Sequence, residues 1–422
     1  MTEEFLHYIW QFRLLKTDLQ TEDGESLTVL HPGFPNHDGG PDFFNSRIRI
    51  GNTIWAGNVE IHINASDWFR HKHHKDKAYD NVILHVVYAN DLQVFDRNQK
   101  RIPTVTVKGC FAETIYERYK GFLNNRLWIP CEQLIRTVPD IHFNQWSSAL
   151  AIERLEQKTV QIQKSWEACK RDWDETFYQN LLKSFGFKIN AHPFELLAKS
   201  LPHKILLKHR DNLFQIEALL FGQARMLDRS FSEEYPEKLK AEYQFLQEKY
   251  SLIPIEGGLW KFLRLRPSNF PSIRIAQLAV LFASTDNLFS SILEFNTLSR
   301  IQEVFSVTAS GYWNTHFLFG KTSSLRPKLL GDYSIRLIAL NLVIPYLFFY
   351  GMEKGIKDFK EKGITMLEHL PGEINTGLNH WKRLGMPVMN ALNTQALIQL
   401  KTNYCDNKRC LECRIGNKIL IN

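Results

Sequence analysis

The amino-acid sequence predicts an α+β protein in which an N-terminal α/β domain precedes a larger all-α domain. Runs of alternating or β-branched residues, such as FFNSRIRI, TIWAGNVEIHI and VILHVVYA, are confined to about the first 125 of the 422 residues. From about residue 130 onward, apolar residues recur at helical spacing instead. We therefore expect a mixed sheet flanked by helices over residues 1–128 and a helical domain over residues 129–422.

Composition excludes a mainly disordered chain, because 44% of the residues are hydrophobic. The formal net charge of +7 permits a polyanionic partner without requiring one. The N-terminal MTEEFLHYIWQF lacks the basic and apolar regions of a signal peptide. Six cysteines without a secretion signal indicate reduced thiols, so we expect a cytoplasmic protein without a disulfide framework.

The most apolar stretch, LIALNLVIPYLFFYG at residues 337–351, predicts a buried helix. Asn341 and Pro345 interrupt it, and it is shorter than the roughly 20 residues that a membrane span requires. We therefore expect no interaction with a membrane.

The N-terminal domain shows a definite order of elements. FLHYIWQFRLL predicts a first helix, and two strand patterns meeting at Gly51-Asn52 predict a hairpin. The segment SDWFRHKHHKDKAYDN, at residues 66–81, predicts a helix that crosses to the strands VILHVVYA and IPTVTVKG.

Two acids and a histidine lie towards the open end of the predicted hairpin. A three-residue turn at residues 51–53 would place Asp42, Glu60 and His62 on one face, with Asp42 opposite His62. Two carboxylates in such an arrangement can hold Mg²⁺ or Mn²⁺, which activates water and neutralises charge on a phosphate. A two-residue turn would send Asp42 to the other face. In the alternative interpretation, these acids only cap a turn or pair with nearby arginines.

Pro41-Asp42 followed by Glu60-Ile61-His62 resembles the signature of the PD-(D/E)xK nuclease superfamily, in which Pro-Asp opens one strand and Glu-x-Lys lies on the next. The element order also resembles its restriction-endonuclease-like fold. Over about 125 residues, the resemblance implies a metal-dependent nuclease that hydrolyses phosphodiester bonds of DNA or RNA. It implies that Asp42 and Glu60 hold the metal and that His62, in place of the Lys, orients the attacking water.

Two alternatives to a nuclease remain open. The first is a non-catalytic nucleic-acid-binding or scaffold protein that kept a nuclease-like fold and lost the Lys. The second is a structural helical protein with a zinc knuckle. The chain as a whole also resembles an uncharacterised bacterial family, domain of unknown function 2851, through GGPDF, GNVEIHI, SDW, YDNVILHVVY and the C-terminal YC–C–C–IG pattern. That family implies no activity.

A second polar cluster follows the hairpin. Asp67, His71 and His74 stand at positions i, i+4 and i+7 of the predicted crossover helix and would therefore share one face. His85 lies within the apolar run VILHVVY. We predict that these four residues surround the metal site, as a phosphate-facing wall, a second metal site or a proton relay close to Glu60. The alternatives are a solvated helix face and a hydrogen-bonded core histidine.

Cysteines are densest in YCDNKRCLECRIGN, where Cys405, Cys410 and Cys413 have the spacing C-x4-C-x2-C. Three thiolates at this spacing can bind Zn²⁺ or an iron–sulfur cluster, and four ligands are normal. The fourth ligand would be Cys131, Cys110 or a distant histidine. The alternative is three reduced thiols in a basic loop.

A cationic segment of the helical domain predicts contacts with nucleic acid. Lys261, Arg264, Arg266 and Arg274 are interleaved with aromatic residues and prolines, a composition that suits a phosphate backbone. Alternatively, these cations brace neighbouring helices. The sequence contains no GxxxxGK[ST] and no GxSxG pattern, so it gives no support to a P-loop motor or a serine hydrolase.

Overall fold

The computed structural model describes residues 1–36 and 38–422 and divides into two compact units. The first unit comprises Met1–Gln145 together with Leu400–Asn422, and the second comprises Trp146–Gln399. This division differs from the predicted boundary near residue 128. The helical pattern could not reveal the boundary, because a single helix, Asp140–Ala168, runs across it.

The first unit contains a mixed β-sheet, in agreement with the predicted α+β class. The strands are β1 (Leu19–Gln20), β2 (Ser26–His31), β3 (Phe34–Pro35), β4 (Phe43–Ile50), β5 (Thr53–Asn64), β6 (Val82–Ala89) and β7 (Thr104–Thr106), with β8 (His316–Leu318) and β9 (Lys321–Thr322) in the second unit. The strand order in the sheet is β1-β2-β4-β5-β6-β7, with β3 also paired to β4. Strands β5, β6 and β7 run parallel, and the other pairs are antiparallel.

Helices flank the sheet of the first unit and build most of the second. They are α1 (Glu3–Gln11), α2 (Asp67–Arg70), α3 (Glu113–Asn124), α4 (Asp140–Ala168), α5 (Trp173–Phe185), α6 (Ala191–Ser200), α7 (His203–Leu207), α8 (Leu213–Gln223), α9 (Glu234–Tyr250), α10 (Pro271–Ser284), α11 (Leu288–Glu294), α12 (Leu298–Phe305), α13 (Asp332–Ile338), α14 (Ile344–Lys354), α15 (Lys357–His369), α16 (Thr376–Arg383), α17 (Ala391–Gln399) and α18 (Arg414–Ile421).

The turn of the β4–β5 hairpin differs from the predicted one. It contains two residues, Gly51-Asn52, because Ile50 pairs with Thr53. The predicted three-residue turn is therefore wrong. With this register alone, successive side chains would alternate so that Asp42 faced away from Glu60.

A bulge in β4 turns the Asp42 side chain back to the face of the sheet that carries Glu60. Asn45 has a left-handed backbone, with φ of 55°, and the register shifts by one residue in this part of the strand. Beyond the bulge Phe43 pairs with Val59, which places Asp42 opposite Glu60 on the same face. The two acids of the predicted site therefore come together by a different route from the one expected.

Residues 59–62 of β5 are buried on both faces of the sheet, and α1 and α2 pack against this strand. Glu60 and His62 therefore project into the interior, where each is less than 5% exposed. Helix α1 begins at a side-chain cap, in which the Thr2 hydroxyl accepts a hydrogen bond from the Phe5 amide at 3.3 Å.

The crossover between β5 and β6 is not the single helix that the sequence predicts. Helix α2 ends at Arg70, and Lys72 then adopts a left-handed conformation with φ of 66°. Two short 3₁₀ turns follow, His73–Lys75 and Lys77–Tyr79. The prediction that Asp67, His71 and His74 share one helical face is therefore wrong.

The apolar stretch of the second unit forms α13, a π-helical turn at Ala339–Val343 and α14. Among the described residues, the continuous helix Asp332–Lys354 is long and apolar enough to cross a membrane, and α10 with α11 would qualify as one bent pair. The protein itself buries 72% of the most apolar window of that helix, as expected for a core helix.

Candidate functional site

Four side chains of the first unit bring their polar atoms together at the C-terminal part of β5. Glu60 Oε1 lies 3.4 Å from His62 Nε2 and 3.2 Å from His73 Nε2. His71 Nδ1 lies 3.2 Å from His62 Nε2. We call these residues, Glu60, His62, His71 and His73, the donor group. His71 is the exposed member, so the donor group reaches the surface on its side.

The spacing of the donor group suits one transition-metal ion. Two atoms that each lie about 2.0–2.1 Å from the same tetrahedral ion are about 3.3 Å apart, and the three distances above are 3.2–3.4 Å. The nitrogen donors of the three histidines also lie within 4.8 Å of one another. Imidazole nitrogen with one carboxylate is a donor set for Mn²⁺, Zn²⁺ or iron rather than for Mg²⁺, which prefers oxygen.

His73 presents an unsatisfied lone pair to this group. Its Nε2 is buried and has no hydrogen-bond partner, although Glu60 lies close. Tyr79 stacks on its ring with 3.9 Å between centroids, and Trp68 contacts it edge-on at 5.4 Å. A buried polar atom without a partner is costly, and a metal ion would satisfy it.

His62 is oriented by His85, in the supporting position that the sequence predicts for this residue. His62 Nδ1 and His85 Nε2 are 2.8 Å apart, so a proton on His62 Nδ1 leaves its Nε2 lone pair to the donor group. Burial and the neighbouring histidines lower the pKa of His62 to about 2, and burial lowers the pKa of His85 to about 3. A neutral His62 cannot replace the cationic Lys of the PD-(D/E)xK signature.

Burial also disfavours the charged form of Glu60, which for a carboxyl group means a raised pKa. Burial and then the charge of Asp42 raise the pKa of Glu60 to about 9, although its Oε2 accepts a hydrogen bond from the Asp42 amide at 3.1 Å. The carboxyl group is therefore protonated at neutral pH unless a cation binds beside it. A cation at the donor group would favour the ionised carboxylate.

Asp42 and His7 form a pair beside the donor group. Asp42 Oδ2 accepts a hydrogen bond from the Ile61 amide at 2.9 Å and lies 3.2 Å from His7 Nε2. Burial disfavours the charged form of His7, but the Asp42 carboxylate outweighs it and raises the pKa of His7. No sequence pattern pointed to His7, because it occupies an ordinary polar position in an amphipathic helix.

A groove begins at His7 and offers room for a ligand. Its volume is about 310 Å³, and both α1 and the loop before α18 contribute to it. The lining residues include Glu4, His7, Tyr8, Tyr119, Asn407 and Lys408.

The other residues that were predicted to surround the metal site lie elsewhere. Asp67 accepts a hydrogen bond from the Asn64 amide at 3.1 Å and pairs with Arg70 at 2.9 Å, so it shapes the crossover. His74 packs against Phe69 with 5.0 Å between ring centroids. His73 takes the place predicted for His74, because the left-handed turn before it breaks the helical periodicity.

The predicted nucleic-acid contacts differ in accessibility. Lys261, Arg264 and Arg266 are not buried. Arg274 is only 4% exposed, and its guanidinium donates to Asn269, Gln277 and Ser334. Burial lowers the pKa of Arg274 to about 10. The alternative interpretation, a brace between helices, therefore describes Arg274.

Comparison with known proteins shows one family. Residues 3–376 match DUF2851, described as a protein of unknown function. The chain belongs to this family. No curated protein and no solved structure matches it. The matched region includes the donor group and ends before Cys405.

Proposed function

We propose that this member of DUF2851 is a metal-dependent nuclease with a PD-(D/E)xK-like N-terminal unit, in which the donor group holds the cation. The observation that carries the proposal is the donor group itself, in which a buried carboxylate meets three imidazoles at metal-ligand spacing. The order of helix, acid-bearing hairpin, crossover and parallel strand is compatible with that fold.

Nitrogen donors predominate in the donor group, which suits a transition-metal ion rather than Mg²⁺. We assign Mn²⁺ within this class because it also accepts carboxylate and water oxygen, so that four side chains would leave positions for water and a phosphate oxygen. Glu60, His62, His71 and His73 would hold it. The cation would supply Lewis-acid activation and neutralise the charge that builds up on the phosphate.

The surrounding residues would position the donor group and the substrate. The Asp42 amide fixes one oxygen of Glu60, and His85 fixes the ring of His62. His7 borders both Asp42 and the groove, and the Asp42 carboxylate, 3.2 Å from its Nε2, would hold the His7 ring in place beside a bound phosphate. Lys408 would add a cation for the phosphate backbone at the other side of the groove.

The second candidate is a nucleic-acid-binding protein without catalysis. The neutral, buried His62 favours it, because the motif position that carries a cation in active nucleases has none here.

Cleavage assays with Asp42→Ala separate the two candidates. Wild type should degrade labelled single- or double-stranded DNA or RNA in Mn²⁺ and not in chelator. Asp42→Ala should decrease the rate about a hundredfold or more, because His7 and the Ile61 amide are left without their partner. Glu113→Ala, an exposed acid of the same unit, is the matched control. Nucleic-acid binding without metal-dependent cleavage would reject the nuclease and favour the second candidate.

The salt dependence of nucleic-acid affinity tests the accessible cations. Arg264→Gln combined with Arg266→Gln should reduce the slope of log affinity against log salt by about 0.7–0.9 for each phosphate that these arginines neutralise. The control combines Lys238→Gln and Arg300→Gln, two exposed cations already paired with Glu234 and Glu303. Equal slopes in both double variants would show that Arg264 and Arg266 do not bind phosphate.

A further inference from the structure

Two distant segments of the first unit bring four cysteines together. Cys131 lies just after α3, whereas Cys405, Cys410 and Cys413 lie between α17 and α18. All four are free thiols, and three of them are less than 10% exposed. The Lys401 ammonium, four residues before Cys405, lies 5.1 Å from the ring centre of Trp128, three residues before Cys131. Burial and then the neighbouring cysteines raise the pKa of both Cys405 and Cys131.

Specific contacts hold these segments against each other. The Arg118 guanidinium of α3 donates to the carbonyl oxygens of Ile419 and Leu420 at 3.4 and 3.3 Å. Lys408 donates to the carbonyl oxygen of Leu123. Helix α18 also packs against the 3₁₀ turn Ile135–Thr137, which follows Cys131 closely.

Backbone contacts in the loop around Cys413 fix the position of its sulfur atom. The Gly416 amide donates to Cys413 Sγ at 3.4 Å, and the Cys413 side chain thereby caps α18. A Cβ at Gly416 would lie 2.4 Å from the Cys410 carbonyl oxygen, so only glycine fits at this close approach. Amide hydrogen bonds to sulfur stabilise a thiolate rather than a thiol.

We propose that Cys131, Cys405, Cys410 and Cys413 hold a thiolate-bound metal centre that fastens the C-terminal segment to the N-terminal unit. Cys131 is then the fourth ligand. Cys110 is excluded from the centre, because its Sγ lies against the carbonyl oxygens of Thr106 and Lys108, at 3.6 and 3.8 Å.

The geometry favours an iron–sulfur cluster over a single Zn²⁺ ion. The spacing C-x4-C-x2-C with a distant fourth cysteine is a ligand pattern of iron–sulfur proteins. Four sulfurs on one Zn²⁺ would be about 3.8 Å apart, given Zn–S bonds of about 2.3 Å. Within the part of the chain that the structure describes, the group of three histidines is the one whose ligand atoms all lie within 4.8 Å. The sulfurs are therefore spread more widely than one ion requires.

This proposal is independent of the nuclease, and its test needs no activity measurement. Anaerobically purified full-length protein should contain iron with acid-labile sulfide and absorb near 400 nm, or contain about one zinc per chain. Cys131→Ser, Cys405→Ser and Cys410→Ser should each lose most of that metal. Cys110→Ser and Cys169→Ser, at the two remaining cysteines, should retain it. Iron or zinc supports the four-thiolate centre, and zinc alone would reject the cluster.

Limited proteolysis covers the case in which a serine variant fails to fold. Removal of the metal from wild type should expose the segment after Gln399 to cleavage, and restoring the metal should protect it again. Wild type that takes up neither zinc nor iron with sulfide under anaerobic reconstitution would overturn the proposal. Full metal content in folded Cys131→Ser would also overturn it.

Discussion

Glu60→Gln should abolish Mn²⁺-dependent cleavage and, at the same time, raise the melting temperature of the metal-free protein. The loss of cleavage follows because glutamine supplies no negative charge to the cation between His62 and His73. We expect a fall of at least about a hundredfold in rate and in Mn²⁺ affinity. An ordinary structural acid would show neither this loss nor the gain in stability.

The gain in stability follows from the pKa of about 9 that burial and Asp42 give to Glu60. Between about pH 4.5 and pH 9 the unfolded chain releases this proton and the folded chain keeps it, so folding becomes less favourable as pH rises. Glutamine resembles the protonated form and still accepts the hydrogen bond from the Asp42 amide. It should therefore remove this pH-dependent cost.

Thermal melts in chelator at several pH values measure the effect. The melting temperature of Glu60→Gln should exceed that of wild type by a few degrees at pH 8, and the difference should disappear near pH 4. Added Mn²⁺ should stabilise wild type and leave the variant unchanged. Glu113→Gln, at an exposed site, should match wild type throughout. If Glu60→Gln binds Mn²⁺ as tightly as wild type, the donor group is not a metal site.

His62→Lys should destroy metal binding rather than restore a nuclease signature. His62 is 2% exposed, and its two ring nitrogens lie beside His85 and His71. An ammonium group there cannot reproduce both interactions and must leave water, at a cost of several kcal/mol that an ion pair with Glu60 offsets only in part. We therefore expect loss of Mn²⁺ affinity and a melting temperature lower by several degrees.

Metal titration and thermal melts of His62→Lys and His74→Lys test this expectation. His74 belongs to the same crossover but packs against Phe69 outside the donor group, so its substitution should leave Mn²⁺ affinity unchanged. Cleavage by His62→Lys at the wild-type rate would show instead that His62 acts as a cation in place of Lys. Such a result would contradict the role of His62 as a neutral metal ligand.

The sequence could predict which strands carry the acids but not how those strands pair. Alternation of residue types located β4 and β5, because side-chain direction in a strand has a period of two. The bulge at Asn45 left no pattern of this kind, since a single left-handed residue changes the register without changing composition. The prediction that Asp42 and Glu60 are neighbours is therefore confirmed, although the three-residue turn on which it was based is wrong.

The donor histidines show the same limit. Helical periodicity placed His71 beside His74, and the left-handed Lys72 brings His73 to the site instead. The sequence also did not reveal that Arg274 is buried, because its burial results from tertiary packing with Asn269 and Ser334. Local patterns predict elements well, whereas positions fixed by one backbone torsion or by distant packing require the structure.

The discontinuous first unit has a consequence for biosynthesis. Its sheet and α1 come from the first third of the chain, but Leu400–Asn422 completes it. The helical unit, Trp146–Gln399, has all its residues available while that last segment is still inside the ribosome. The unit whose synthesis begins first is therefore complete only after Leu400–Asn422 has been translated, and α3 must keep its binding surface for α18 open until then.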